Sequence, residues 1–422
     1  MFFKLLKDAL KVKNVRNKIL FTIFIIFVFR VGTHVTVPGI NAESLKQLSD
    51  LPFLNMLNLV SGNAMNNFSI FSMGVSPYIT ASIIVQLLQM DIYPKFVEWG
   101  KQGEVGRRKL NQATRYITLV LAFVQSIGIT ASFNTLSSIS LVKTPNVSTY
   151  LLIGTILTAG SIIVTWLGEQ ITDKGFGNGV SMIIFSGIIA SIPKMFSTIY
   201  EDFFVNVRSG ELTRSYIIVA LLIVVGLAIV FFTTFVQQAE YQIPIQYTKL
   251  VQGAPTSSYL PLKVNPAGVI PVIFASSITT IPSTILPFFS KVTWLSHLQG
   301  LLSYNTPSGM ITYAILIILF SFFYTFVQVN PEKTAENLQK NGSYIPSVRP
   351  GRETEKYMSS LLKRLATIGA VFLAFISLAP IAAQQFMHLT SSIALGGTSL
   401  LILISTGIEG MKQLEGYLLK RQ

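Results

Sequence analysis

Residues Tyr216 to Val236 read YIIVALLIVVGLAIVFFTTFV, 21 residues without a charge or a proline. A helix needs about 20 apolar residues to cross a hydrocarbon core about 30 Å thick. Working outward from this stretch, similar runs precede it at Ile19–Val37, Val75–Met90, Tyr116–Phe133, Tyr150–Leu167 and Val180–Ile199. Four more follow at Pro266–Phe289, Met310–Val329, Leu365–Phe386 and Ile393–Ile408. Their interiors are mostly Ile, Leu, Val, Phe and Ala, and Pro, Gly, Asn or charge marks their ends. The expected fold is therefore all-α and integral to a membrane, with ten transmembrane helices.

Composition points the same way. Of 422 residues 50% are hydrophobic and only 12% charged, against about 25% charged in soluble proteins. Lipid cannot solvate charge. The net charge of +14 does not read as a nucleic-acid-binding domain, because the basic residues sit in short loops between apolar spans. An anionic leaflet, ribosomal RNA or an acidic protein partner would each exploit it. Cysteine is absent, which removes disulfides, thiolate catalysis and Cys-based metal sites. His34, His297 and His388 have no ligand spacing. Gly175-Phe-Gly-Asn-Gly179 lacks the GK[ST] of a phosphate loop and reads as a tight turn. No catalytic set or cofactor motif is present, so an enzyme is not expected.

Charge orients the chain. Of the 32 Lys and Arg, 25 fall in the N-tail, the 92–115, 170–179, 237–265 and 330–364 connections and the C-tail; six fall in the alternate connections, and Arg30 lies within the first span. By the positive-inside rule both termini face the cytoplasm. The N-tail, residues 1–18, interleaves Phe2, Phe3, Leu5, Leu6 and Leu10 with Lys4, Lys7, Lys11 and Lys13. It reads as a basic amphipathic segment on the membrane surface or as simple topogenic charge, not as a cleavable signal. The expected divisions are an N-terminal half at 19–205, a C-terminal half at 206–410 and a C-tail at 411–422. Five spans per half make the halves antiparallel, and inverted halves place a substrate path at their interface.

Asn58 to Met73, NLVSGNAMNNFSIFSM, is too short and too polar to cross a bilayer. Such backbone survives at membrane depth only inside protein or beside a watery cavity. It is either a re-entrant element in a vestibule or an external loop with a frayed helix. Acids are nearly absent from the spans, which weighs against an ion-coupled transporter. Arg30, toward the outer end of its helix, either snorkels or pairs with a loop. Thr80, Ser82, Gln86, Gln125, Ser126, Asn265, Ser276 and Ser277 place uncharged polar groups in or beside spans. They serve as interhelical glue or as a weak seam that opens toward lipid. The loops around Gly100–Lys109 and Asn330–Arg364 carry shaped Arg-rich stretches; the second, about 35 residues, exceeds what topogenesis needs.

Ten motifs, in order along almost the whole chain, resemble the SecY family. They are Val28-Phe-Arg30-Val-Gly32, Ile70-Phe-Ser-Met-Gly74, Pro77-Tyr-Ile-Thr-Ala-Ser-Ile83, Gly106-Arg-Arg-Lys109, Trp166–Thr172, Gly177–Ser181, Leu262–Pro271, Asn330–Asn337, Arg349-Pro-Gly351 and Gly396–Leu401. Lys249 to Tyr259 and the lack of cysteine are most similar to members from low-GC Gram-positive bacteria. The resemblance implies a clamshell of two halves around an hourglass pore that passes unfolded secretory polypeptides across a bacterial plasma membrane. Its waist ring would be Val75, Ile79, Ile184, Ile273 and Ile402, with Val75 in place of a usual Ile. A plug would include Asn58, Ser61, Gly62, Asn63, Asn66 and Asn67. A lateral gate would include Thr80, Gln86, Gln125 and Asn265 and release signal peptides and nascent membrane helices into lipid. Arg107, Arg108, Lys109, Arg349 and Arg352 would form the docking surface for the SecA motor or the ribosome. SecE and SecG are the implied small subunits, and no cofactor is implied. One departure is the 237–265 loop, usually strongly basic but here carrying only Lys249 and Lys263. The readings set against this one are a small-solute secondary transporter and a membrane scaffold without a continuous pore.

Overall fold

The computed structural model describes residues 10–41, 61–62, 64–90, 92–136, 142, 145–205, 212–247, 257–285, 306–387 and 396–419. Each predicted span falls on a helix. In chain order these are α1 (Lys13–Gly32), α2 (Ser76–Leu88), α4 (Gly103–Leu136), α5 (Val147–Lys174), α6 (Gly179–Tyr200), α7 (Leu212–Gln238), α8 (Ile270–Ile285), α9 (Pro307–Gln328), α11 (Arg352–Met387) and α12 (Gly396–Leu419). Two further helices, α3 (Pro94–Lys101) and α10 (Pro331–Lys340), lie outside the predicted spans. Among the described residues six helices are long and apolar enough to cross a membrane, and α2 and the first part of α8 are shorter apolar helices.

Local chemistry explains several starts. Asn178 caps α6, its side chain accepting from the Val180 and Ser181 N–H groups. Thr306 caps α9 and Asn330 caps α10, each followed by proline at the first helical position. There the missing N–H costs nothing.

The structure corrects three readings. Most of the 92–115 connection is not a loop: α3 covers Pro94–Lys101, and Gly106–Lys109 lies in the first turns of α4. The 34 residues of α4 and the 36 of α11 are about 50 Å long at 1.5 Å per residue, beyond the hydrocarbon thickness. Their polar first turns are made of good helix formers, which an apolar-run criterion cannot see. Likewise α12 runs to Leu419, so most of the expected C-tail is helix. The third correction is to the all-α class. β1 (Glu240–Tyr247), β2 (Ser257–Lys263) and β3 (Ser343–Tyr344) form a small antiparallel sheet in the order β2-β1-β3. Ile243 pairs with Leu260 and Gln246 with Tyr344. Alternation supplies the reason: Ile243 and Ile245 point inward, while Gln242, Pro244 and Gln246 point out. Ile243, Leu262, Ile345, Met358, Leu362 and Leu365 close over one another as a separate apolar core. The two long connections are thus one folded unit.

One main core joins α1, α2, α5, α6, α8, α9, α11 and α12, with Val75, Ile184, Tyr313, Leu373 and Leu401 among its buried members. The outside of the bundle is as apolar as the inside. On α7, Phe231 is 74% and Val224 64% exposed, which suits lipid and not water. Helices α2 to α6 pack in succession, and α1 packs against α5 and α6. The helices after α7 meet them along two seams, α8 against α2 and α4, and α12 against α6.

Several contacts gather the basic connections at one end of the bundle. The Phe176 N–H donates to Thr22 Oγ1 (2.9 Å), Gly177 N–H to Gln413 Oε1 (3.0 Å) and Lys18 Nζ to the Tyr417 hydroxyl (3.1 Å). Arg115 pairs with Glu169, and Lys412 with Glu240 on β1.

Candidate functional site

Val75, at the N-cap of α2, and Ile79 within it come from the first set of helices, as does Ile184 of α6. Ile273 of α8 and Ile402 of α12 come from the second. All five join the main core: Val75, Ile79, Ile184 and Ile402 are at most 5% exposed, and Ile273 packs half-buried against them. These five aliphatic side chains, from four helices with two on each side of the seams, thus belong to one apolar core that also holds Phe71, Phe274 and Tyr313.

Beside it lies the described part of the polar segment, residues 61–74. It is buried, with Ser61, Ala64, Met65, Phe68, Ser69, Phe71, Ser72 and Met73 all inside, so it is not an exposed loop. Asn58 and Asn63 lie outside the described residues. Ala64–Asn67 is a single 3₁₀ turn. The Ser72 hydroxyl donates to the Ala64 carbonyl (3.1 Å), Val37 N–H to the Phe68 carbonyl (3.0 Å) and Ile70 N–H to the Val35 carbonyl (2.9 Å). Asn67 and Asn66 are half-buried, and Asn67 Nδ2 reaches the Thr33 carbonyl at 3.4 Å. The segment thus finds its backbone partners on protein, as polar backbone at membrane depth must.

Gly62 is a close contact point. Its φ is +69°, the left-handed region that glycine enters without steric cost. Gly187 of α6 presses on it so closely that neither could carry a larger side chain without movement. Arg30 bridges the three elements here. Its Nη1 donates to the Gly62 carbonyl (2.8 Å) and its Nε to Ser186 Oγ (3.1 Å). The guanidinium lies 5.5 Å from the Phe29 ring centre, and Phe29 stacks on Phe71 at 5.8 Å. Of the two alternatives for Arg30, pairing with a loop is the one present. Its partner Ser186, and Gly187 against Gly62, carried no sequence signal.

The four polar residues of the suspected seam are placed less tightly together. Thr80 and Gln125 are buried in α2 and α4, Gln86 is half-buried, and Asn265 is buried just before α8. Thr80 Oγ1 donates to the Ser76 carbonyl, Gln86 Nε2 to Ser82 Oγ and Asn265 Nδ2 to the Gly268 carbonyl. Each bond stays on its own helix or turn. Gln86 Oε1 is buried with no partner among the described residues.

Arg107, Arg108 and Lys109 on α4 are exposed, as are Arg349 and Arg352 before and at the start of α11. Lys109 Nζ reaches Gln102 Oε1 (3.3 Å) and sits 5.9 Å from the Trp99 ring centre. The turn at Arg349 is shaped by Ser347 (φ +67°), by Gly351 (φ +93°) and by a bond from Thr354 Oγ1 to the Arg349 carbonyl (2.9 Å). Among the described residues no cluster of His, Cys, Asp or Glu could hold a metal ion.

The family model described as SecY matches residues 69–411. Along its whole length the chain is 71% identical to the protein translocase subunit SecY of Streptococcus sanguinis, covering 98% of that protein. The chain belongs to the SecY family. Two solved structures share the fold at low identity. One is a SecY in which the plug domain stabilises the closed state of the translocation channel and maintains a membrane seal: TM-score 0.67, 16% identical, covering 95% of this chain and 92% of that one. The other is Sec61 in a canine ribosome–channel complex: TM-score 0.65, 15% identical, covering 95% and 92%. As a SecY family member with several apolar helices, the chain is a multi-pass membrane protein.

Proposed function

We infer that this chain is the pore subunit of a protein-conducting channel, which passes unfolded secretory polypeptides across a bacterial plasma membrane. The observation that carries the reading is that Val75, Ile79, Ile184, Ile273 and Ile402, from four helices on both sides of the seams, share one apolar core; an aliphatic constriction made of them dewets and resists ions, while branched chains can still give way. A membrane scaffold has no reason to align them, and a solute transporter would want polar or ionisable groups at that depth. The full-length similarity to a protein translocase subunit supports the same reading.

In this reading ten transmembrane helices form two inverted halves, hinged near 200–215, with both termini cytoplasmic. The five aliphatic residues form the waist. The segment from Asn58 through Asn67, including Ser61, Gly62, Asn63 and Asn66, is the plug; the SecY structure with a sealing plug domain supports that role. The seam between α8 and the α2–α4 pair is the lateral gate, with Thr80, Gln86, Gln125 and Asn265 beside it. An apolar signal segment leaves through it by partitioning into lipid. No nucleotide chemistry is assigned to the chain. The SecA motor or the ribosome drives transport, docking on Arg107, Arg108, Lys109, Arg349 and Arg352; the ribosome-bound Sec61 supports the second of these. SecE and SecG complete the channel.

Site-specific photocrosslinking tests the reading. Ile79 is replaced by a photoreactive residue, and a secretory chain is stalled during export. Adducts with the stalled polypeptide that depend on the motor are expected. Their absence at Ile79, and equally at Ile184 and Ile273, would return the transporter reading.

A further inference from the structure

Arg30 carries a charge where the surrounding helices carry none, and no step of transport described above uses it. Its guanidinium is spread over three elements that must separate if residues 61–67 leave their seat. It belongs to α1, holds the Gly62 carbonyl at 2.8 Å and holds the α6 hydroxyl of Ser186 at 3.1 Å. Ser186 lies two residues from Ile184 of the waist and next to Gly187, the residue pressed against Gly62. The third nitrogen, Nη2, is buried with no partner among the described residues. At Gly62 the seat thus combines close backbone packing with a charge-assisted bond to a carbonyl, beside the bond from Asn67 to the Thr33 carbonyl.

We propose that Arg30 is the positioning residue that sets how firmly the plug is held, by clamping the Gly62 carbonyl against α6. Displacing the plug breaks the Arg30–Gly62 bond and leaves Nη1 beside the unpaired Nη2 in a dry site, where an unmet donor is costly. Among the bonds that hold the segment, this one ties it to both α1 and α6, and a shift of α6 against α1 can release it. Arginine suits the task because its planar fork reaches two acceptors at once, and a lysine amine at this position holds one or the other. This inference rests on the plug reading of residues 61–67.

The test uses the full chain in membranes with its partner subunits. Because the sequence has no cysteine, Asn67→Cys gives a background-free site for a water-soluble maleimide, and resting ion conductance is measured in parallel. On this background Arg30→Gln is expected to raise both labelling and conductance about tenfold, the factor that goes with one charge-assisted hydrogen bond. Arg30→Lys is expected to restore part of the difference. Ser186→Ala, which removes one acceptor at nearly constant volume, is expected to raise labelling about threefold and decides the matter if Arg30→Gln does not accumulate. Unchanged labelling in Arg30→Gln, or in Ser186→Ala where that variant decides, overturns the proposal. Deletion of residues 61–67 separates the two readings. A leak after deletion without an effect of Arg30 or Ser186 defeats this inference alone, and no leak after deletion defeats the plug reading itself.

Discussion

The two seams of the bundle are built differently. Where α8 meets α2 and α4, the polar side chains spend bonds locally: Thr80 on Ser76, Ser277 on Ile273 and Asn265 on Gly268. Where α12 meets the 176–178 turn and α1, hydrogen bonds cross from one set of helices to the other. Gln413 accepts from the Gly177 N–H, and the Tyr417 hydroxyl from Lys18, whose ammonium also lies 4.5 Å from the Tyr417 ring centre. Val15 and Leu414 are buried together beneath Phe176 and Tyr417. The bonds named at the first seam stay within one helix or turn and are not lost when helices separate. Those that cross the second seam are lost. In the proposed reading the first seam is therefore the one that opens and the second the one that holds.

The proposed waist spans both seams, with Val75, Ile79 and Ile273 on the helices of the first and Ile184 and Ile402 on those of the second. The largest effect is therefore expected there. Replacing Ile79, Ile184 and Ile273 together by Ser should keep the constriction wet and raise resting ion conductance by about tenfold or more; a conductance equal to wild type would break the assignment. Next comes the holding seam. Leu414→Ala removes a side chain that is 4% exposed and should cost about 2 to 4 kcal/mol, read as a lower unfolding temperature in detergent. A variant as stable as wild type would mean that this seam holds nothing. The smallest effect belongs to the opening seam: Ser277→Ala should change the same stability by about 0.6 kcal/mol or less, and a loss comparable to that of Leu414→Ala would erase the contrast.

The spans were legible because lipid imposes a length and excludes charge, and both are visible residue by residue. Tyr216–Val236 could be little else. The charged first turns of α4 and α11 and the continuation of α12 to Leu419 were not legible. Outside the hydrocarbon a helix needs only good helix formers and a partner surface, and the partner is known only in the fold. The three-stranded sheet was missed for a related reason. Its alternation covers a single strand, and its third member arrives from a connection about a hundred residues away. The polar segment before Val75 stood out as anomalous, but its sequence fitted a vestibule and an outer loop equally.

Sequence by itself determined that this chain crosses a membrane repeatedly, which connections carry the positive charge, and which family it belongs to. These follow from composition, period and motif order, all local in the chain. Tertiary structure alone decided that Gly62 lies against Gly187, that Arg30 spends its charge on Gly62 and Ser186, and that one seam is bonded across while the other is bonded within. Those outcomes depend on which backbone approaches which, and close approach between segments 30 to 400 residues apart leaves no periodic trace in the sequence.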